Sequence, residues 1–203
     1  MKILNLYAGI GGNRKLWGDE HEITAVEFDP AIAKAYQARF PNDTMVVGDA
    51  KQYLIDHYKE FDFIWASPPC QTHSRLAMGN KNKENYTNKL PDMSLYQVIL
   101  FLKHYFKGTW VVENVKPFYI PLIPADFGID RHLYWANFNI TPIKIEQKYK
   151  IETASLGDCE FDITGYGIKR TQQAIRSQVN YKMGKHILDC AMGTAKHKQG
   201  GLF

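Results

Sequence analysis

A chain of 203 residues with 45% hydrophobic side chains is long enough for one domain with a single substantial core, and its ordinary composition excludes disordered and collagen-like classes. No run approaches the ~18 apolar residues of a membrane span, and Met1-Lys2-Ile3 leads straight into a strand instead of a signal peptide, so the expectation is a soluble, intracellular, cytoplasmic protein with no membrane association. Cys70, Cys159 and Cys190 lack the paired spacing of a zinc site or a disulfide framework, so no metal is expected, and a net charge of +4 is too modest to identify a nucleic-acid ligand by itself.

Residues 2–7 read as a first strand, followed by Ala8-Gly9-Ile10-Gly11-Gly12 and a helix through Trp17. Glycines between a strand and a helix let the backbone turn tightly and approach a ligand, whose polar groups meet free N–H groups at the helix start. A second strand, residues 23–28, carries Glu27 close to the ~20-residue offset at which an acidic residue meets ribose hydroxyls. A tight turn beside an unrelated surface glutamate is the plainer alternative, and Phe28 by itself reads as core. Residues 30–40 have alanines and aromatics at helical spacing, with Pro30 suited to a first turn. Residues 44–47 form a third strand, after which Asp49 either N-caps the next helix or faces a ligand at the sheet's carboxyl edge.

The apolar run Phe61, Phe63, Ile64, Trp65 is a fourth strand, and Pro68 and Pro69 forbid its continuation because neither donates a ladder hydrogen bond. Cys70 is thus delivered at a strand end, where open α/β sheets bind ligands; it is either a nucleophile held by two stiff prolines or a buried structural cysteine. Residues 75–92 read as a mobile, basic loop with Arg75, Lys81, Lys83 and Lys89, which marks either phosphate contacts or a solvated surface. A covering helix over residues 93–106 precedes a strand, residues 110–115, that ends in Glu113-Asn114-Val115; a glutamate there faces solvent or has a partner. Residues 130–138 form a further strand headed by Arg131 and His132. The turn Gly165-Tyr166-Gly167-Ile168-Lys169-Arg170 either presents Tyr166, Lys169 and Arg170 to phosphates or base edges, or only connects strands. Residues from Lys196 onward read as a frayed tail.

Several of these stretches together resemble the cytosine-5 DNA methyltransferases, in that family's order and over nearly the whole chain. Tyr7-Ala8-Gly9-Ile10-Gly11-Gly12 looks like Phe-Ala-Gly-x-Gly-Gly, with Tyr7 in place of phenylalanine and Asn5 where an aspartate is common. Gly48-Asp49-Ala50, Pro69-Cys70-Gln71 with Ser74, and Glu113-Asn114-Val115 are similar to further family motifs. Arg176-Ser177-Gln178-Val179-Asn180 is similar to a closing one, with Ser177 where asparagine is common. The usual Gln-x-Arg-x-Arg spacing is absent around Arg131, which leaves His132 as an alternative to it.

The resemblance implies a Rossmann-like, S-adenosylmethionine-dependent methyltransferase fold of the α/β class, with a mostly parallel sheet and helices on both faces. It implies a catalytic and cofactor-binding core over residues 1–138, a much reduced target recognition segment over 139–170, and a returning C-terminal helix with a tail over 171–203. It implies methyl transfer to C5 of cytosine in double-stranded DNA, with the base swung out of the helix, Cys70 as nucleophile, Glu113 holding the base at N3 and its amino group, and Arg131 assisting. The acceptor of the C5 proton is left open between water and a residue, and no residue is nominated. The implied cofactor is S-adenosylmethionine, leaving as S-adenosylhomocysteine, held by Tyr7, Ala8, Gly9, Gly11, Gly12, Glu27, Phe28, Asp49, Ala50, Pro68, Ser177 and Gln178. DNA contacts are expected from Gln71, Ser74, Arg75, Lys81, Lys83, Tyr166, Lys169 and Arg170. The resemblance also leaves room for a restriction endonuclease partner in a bacterial or phage-like setting. An RNA cytosine methyltransferase and a non-catalytic DNA-binding regulator are the rival readings. An amino-methyltransferase is disfavoured because Ser67-Pro68-Pro69 is followed by Cys70 and not by Tyr or Phe.

Overall fold

The computed structural model describes residues 1–75, 87, 89–144 and 161–195. Lys81, Lys83, Cys159 and the tail from Lys196 lie outside the described residues, as does most of the expected basic loop. In chain order the elements are β1 (Lys2–Leu6), a 3-10 turn (Arg14–Leu16), β2 (Glu22–Glu27), α1 (Pro30–Arg39), β3 (Thr44–Val47), α2 (Ala50–His57) and β4 (Phe63–Ala66). After these come α3 (Ser94–Tyr105), β5 (Thr109–Val115), β6 (Phe127–Ile129), β7 (His132–Ala136), α4 (Thr171–Arg176) and α5 (Tyr181–Ala191).

Alternation of side chains along the strands divides the interior in two. Leu4, Leu6, Ile64, Ala66 and Val112 join one core with Leu54 of α2 and Leu95, Ile99 and Leu102 of α3. Ile3, Phe63, Trp65 and Val111 join the other with Trp17 and with Met183, Ile187 and Leu188 of α5. The sheet between them runs β3-β2-β1-β4-β5-β7-β6. Its first five strands are parallel, and β7 is antiparallel to both β5 and β6. A mostly parallel sheet covered by helices on both faces is therefore what forms. The strand order reverses between β1 and β4, which opens a crevice at their carboxyl ends.

The helix expected to run through Trp17 is only the three-residue turn Arg14–Leu16. Tertiary packing stops it, because Trp17 is 1% exposed in the second core and its indole N–H donates to the Gly184 carbonyl at 3.1 Å. The returning α5 comes so close that a Cβ on Gly184 would lie 2.3 Å from the Asn13 carbonyl oxygen, and one on Gly12 would lie 2.6 Å from that of Val179. Glycine at both places is thus what lets the C-terminal part of the chain lie against the turn after β1.

Beneath that turn is a buried polar network. Arg14 grips Asp43 with two hydrogen bonds of 2.9 Å, Tyr36 donates to Asp43 at 2.7 Å, and Asn13 donates to Asn5 at 2.8 Å. Asn5 and Asn13 are both buried, and as neutral amides they satisfy one another without importing a charge. The described part of the 139–170 stretch does not stand apart: Ile163 and Ile168 pack with Ile10, Ala35 and Ile175.

Candidate active site

The crevice between β1 and β4 is a cavity of about 610 Å³, of the size that holds a small organic ligand. Its first wall is the turn after β1. Tyr7, Gly9 and Gly11 take positive φ angles of 56°, 56° and 77° there, a conformation that glycine tolerates and a tyrosine adopts only under strain. No described atom lies within 4 Å of the place where a Cβ on Gly9 would stand, so the backbone is open to a ligand. Gly11 faces the other way, against Phe40 and Tyr36, and serves the turn without lining the cavity.

Glu27, at the end of β2, stitches two turns together by accepting from the Gly9 N–H at 3.0 Å and the Asp29 N–H at 2.9 Å, one on each oxygen. Each carboxylate oxygen has a second lone pair for a ligand hydroxyl. Phe28 is 77% exposed at the cavity rim, which corrects its reading as core. Asp49 does cap α2, accepting from the Lys51 and Gln52 N–H groups at 2.7 and 3.2 Å; both bonds use Oδ1, and Asp49 lines the cavity as well. The Tyr7 hydroxyl is buried and finds no hydrogen-bond partner among the described residues. Its pKa is pushed far up by burial and by the charges of Asp49 and Asp92.

The second wall comes from the ends of β4 and β5. Asn114, 1% exposed, donates to the Pro68 carbonyl at 2.9 Å and so ties the Pro-Pro-Cys segment to β5. Beyond Cys70 the chain turns at once: the His73 and Ser74 N–H groups both donate to the Cys70 carbonyl at 3.0 Å. His73, fully buried, is fixed by Tyr119 Oη at 2.5 Å and the Asp92 carbonyl at 2.9 Å.

Glu113 is 6% exposed, and burial raises its carboxyl to about 7 even though Ser67 and Arg131 pull it down. His132 Nε2 lies 3.5 Å from Glu113 Oε1, but burial and the charges of Arg131 and Lys116 hold this imidazole down to about 3, so it is a neutral neighbour and no counter-ion. Burial, then the Glu113 charge, push the Cys70 thiol up to about 11, with Arg131 pulling the other way. Desolvation therefore outweighs the pull of Arg131 in the free protein.

Arg131 sits in the two-residue turn between β6 and β7 and not within a strand; β6 itself was not anticipated. Asp130 opens that turn at φ 50°, and Arg131 Nη2 donates to the Arg176 carbonyl at 2.6 Å. A more open cavity of about 660 Å³ adjoins Cys70 and is lined by Ser74, Arg131, Lys169, Arg170 and Arg176.

Of the residues singled out from sequence, Ala8, Gly12, Ala50, Pro68, Gln71, Ser177 and Gln178 also line the main cavity, as do Lys169 and Arg170. Tyr166 and Arg75 line neither one: Tyr166 packs toward Phe161, with ring centroids 6.2 Å apart, and Arg75 Nε reaches the Pro117 carbonyl at 3.4 Å. Ser67 and Arg176 were quoted only as parts of motifs and were not assigned to the site, yet both line the main cavity. The signal for Ser67 was the alternation of β4, which puts Trp65 and Ser67 on the same side.

The sheet order, the glycine turn and a cysteine and glutamate at adjacent strand ends define a Rossmann-like methyltransferase fold. The family model of the C-5 cytosine-specific DNA methylases matches residues 1–119, and the chain belongs to that family. It is 29% identical over 169 residues to the type II methyltransferase M1.HgaI of Avibacterium volantium, covering 79% of this chain and 44% of that protein. It is 24% identical over 124 residues to the tRNA (cytosine(38)-C(5))-methyltransferase of Rattus norvegicus, covering 58% of this chain and 31% of that one. A solved structure of DNMT2 from Spodoptera frugiperda aligns with a TM-score of 0.41 at 29% identity, over 57% of this chain and 35% of that chain. The chain thus spans less than half the length of the curated relatives it matches.

Proposed function

We propose that this protein methylates C5 of cytosine in double-stranded DNA, using S-adenosylmethionine and a covalent adduct between Cys70 and C6 of a base swung out of the helix. The observation that carries this reading is that Cys70, Glu113 and Arg131 share one continuous cavity with the glycine turn, Glu27 and Asp49.

The residues present fit the cofactor. Gly9 offers an unshielded backbone, Glu27 two lone pairs for ribose hydroxyls, Asp49 an acceptor for the adenine amino group, and Phe28 an exposed ring. Gln178 stands where the methionine end is expected. When bound, S-adenosylmethionine supplies an electrophilic methyl group and leaves as S-adenosylhomocysteine.

The Tyr7 hydroxyl, which has no partner among the described residues, gains one from the cofactor or from water held with it. Tyr7→Phe is then expected to raise the melting temperature of the free protein and to weaken S-adenosylhomocysteine binding about five- to tenfold, since a buried unpaired hydroxyl costs about 1–3 kcal/mol. Calorimetry and thermal melts check both signs, and unchanged affinity would remove the hydroxyl from the binding site.

Cytosine C5 is too poor a nucleophile to take a methyl group directly. Addition of the Cys70 thiolate to C6, with transfer of the Glu113 proton to N3, gives a neutral ring with enamine character at C5. Once C5 carries the methyl group, its proton leaves to water, the C6–S bond breaks to return the thiolate, and N3 hands its proton back to Glu113.

The resting site holds a neutral thiol near an ionisable carboxyl, whereas the reactive site holds a thiolate and a carboxylic acid. These two forms contain the same number of protons. Moving one proton from Cys70 to Glu113 also removes the carboxylate charge that opposes the thiolate, while Arg131 stabilises the thiolate and the carboxylate alike and so does not set the direction. Getting the base to this buried sulfur costs about a few kcal/mol of lost stacking and pairing.

The basic open cavity beside Cys70 supports a polyanionic substrate. Methylation of RNA cytosine is the second reading, favoured by the similarity to a tRNA methyltransferase. Incorporation of labelled methyl groups into duplex DNA and into transfer RNA, followed by bisulfite sequencing, tests the proposal. We expect 5-methylcytosine in the duplex; label in the transfer RNA alone would establish the second reading, and label in neither would refute both.

A further inference from the structure

His73 is fully buried just beyond Cys70, and each of its polar groups is engaged. Its N–H donates to the Cys70 carbonyl at 3.0 Å, and its own carbonyl accepts from the Phe118 N–H at 3.0 Å. Its ring nitrogens meet the Tyr119 hydroxyl at 2.5 Å and the Asp92 carbonyl at 2.9 Å. Stretches that are distant in the chain thus meet on one imidazole: the turn after Cys70, the segment after β5, and the segment before α3. The last of these is held twice, because the Asp92 N–H donates to Thr72 Oγ1 at 2.8 Å.

The backbone groups at the two ends of this network fix its direction. A carbonyl only accepts, so the ring proton is on Nε2, facing Asp92, and Nδ1 carries a lone pair. The Tyr119 hydroxyl therefore donates to Nδ1. It accepts in turn from the Tyr96 hydroxyl at 3.4 Å, which accepts from the Leu122 N–H at 3.2 Å. Every proton from Leu122 through Tyr96, Tyr119 and His73 to Asp92 points the same way. Burial lowers the pKa of the imidazole against the opposing pull of Asp92, which favours the neutral ring that this direction requires. A phenylalanine would fill the same space but supply neither the lone pair nor the donor.

The segments joined at His73 are those that build the site. Asp92 Oδ1 accepts from the Ser94 N–H at 2.9 Å and from the Ser94 hydroxyl at 2.5 Å at the start of α3, and both residues line the cavity that holds Cys70 and Glu113. Phe118 and Tyr119 follow β5, the strand that carries Glu113. We propose that His73 is a positioning residue for Cys70: its ring ties the turn after the nucleophile to the cavity wall at Asp92 and to the segment after β5. The sulfur is thereby held at a fixed separation from Glu113 and from the methyl donor. The inference rests on Cys70 acting as the nucleophile in cytosine methylation, and it adds the part of the chain that sets where that nucleophile stands.

The test uses the full chain with His73→Phe, His73→Gln and the double variant His73→Phe/Tyr119→Phe, assayed on whichever nucleic acid the wild type methylates. Melting temperature and S-adenosylhomocysteine affinity are measured alongside. His73→Phe keeps a planar ring in the buried space but cuts both ring hydrogen bonds. It is expected to lower kcat about 10- to 100-fold, the effect of a reacting group held about an ångström out of place, while KM for the nucleic acid and S-adenosylhomocysteine affinity stay within about twofold. His73→Gln keeps a donor where Nε2 stands and so should recover most of the lost kcat through the tie to Asp92. Should His73→Phe melt early because the Tyr119 hydroxyl has lost its acceptor, the double variant removes that hydroxyl; it should melt later than His73→Phe and keep the low kcat. Wild-type kcat in the double variant would overturn the proposal, as would a glutamine variant no more active than the phenylalanine one. A fall in S-adenosylhomocysteine affinity as large as the fall in kcat would also overturn it, because the defect would then be general and not one of placement. A wild-type protein that methylates no cytosine would instead refute the proposed function, and the two failures are distinguished by the wild-type assay alone.

Discussion

Cys70→Ala is expected to abolish methyl transfer, by at least about 10⁴-fold, while S-adenosylhomocysteine binds within about twofold of its wild-type affinity. The separation follows from the cavity's two walls. Most of the residues proposed to hold the cofactor stand at the ends of β1, β2 and β3, with Pro68 after β4 and Ser177 and Gln178 after α4, whereas Cys70 is fixed by the Asn114 bond to Pro68 and by the turn that closes on its own carbonyl. Removing the sulfur disturbs none of those supports. Duplex DNA carrying 5-fluorocytosine should trap a covalent adduct with the wild type and none with Cys70→Ala, because fluorine at C5 prevents the final proton loss that frees the sulfur. Measurable turnover by the alanine variant, or a trapped adduct on any other residue, would remove Cys70 from the mechanism. Ordinary turnover by the wild type with no adduct would point to direct attack on the methyl group by the base.

The thiol's resting state sharpens this expectation. A pKa of about 11 makes Cys70 a poor nucleophile until a base arrives, so alkylating reagents should modify it slowly in the free protein at neutral pH. Such latency suits a site in which the same cavity admits water when empty.

How much of this was readable beforehand divides along a physical line. Where the glycine turn, Glu27, Asp49, Cys70 and Glu113 stand in the fold was legible because each position depends on local chemistry: a positive φ, a strand end, a pair of prolines that stops a ladder. The sheet class was legible from alternating apolar strands separated by helical stretches. Features that arise only when distant segments meet were not. Nothing near Trp17 in the chain announces that Gly184 will accept its indole proton and cut the expected helix to one turn. Arg131 was placed in a strand because β6 is short and weakly patterned, and the hairpin that actually holds Arg131 appears only once Phe127–Ile129 pairs with β7. Phe28 looked like core because hydrophobicity carries no information about which side of a strand end remains uncovered. The burial that raises the Cys70 thiol is a property of the assembled cavity that no stretch of the chain announces.

Glu113→Gln is expected to lower kcat/KM about 10²- to 10³-fold and to change the shape of its pH dependence. In the proposed mechanism the reactive form has one proton in the Cys70–Glu113 pair. That count is reached as pH rises through about 7, where the fully protonated pair loses its first proton, and it persists until about 11, where the second is lost. The rate should therefore climb to a plateau above pH 7 and not fall there, although the acid itself is largely ionised on the plateau. Glutamine can donate to the base's carbonyl or accept from its amino group but cannot deliver a proton to N3, which accounts for the lower rate. It also carries no charge, so the thiol loses the second-largest cause of its high pKa and becomes the only titrating partner. The variant's rate should continue to climb well above pH 7, toward a thiol pKa lower than that of the wild type. A profile of kcat/KM between pH 6 and 10 for both proteins decides the matter: a glutamine variant with the same limb near pH 7 would mean that another group sets it, and full activity in that variant would mean that N3 is protonated without Glu113.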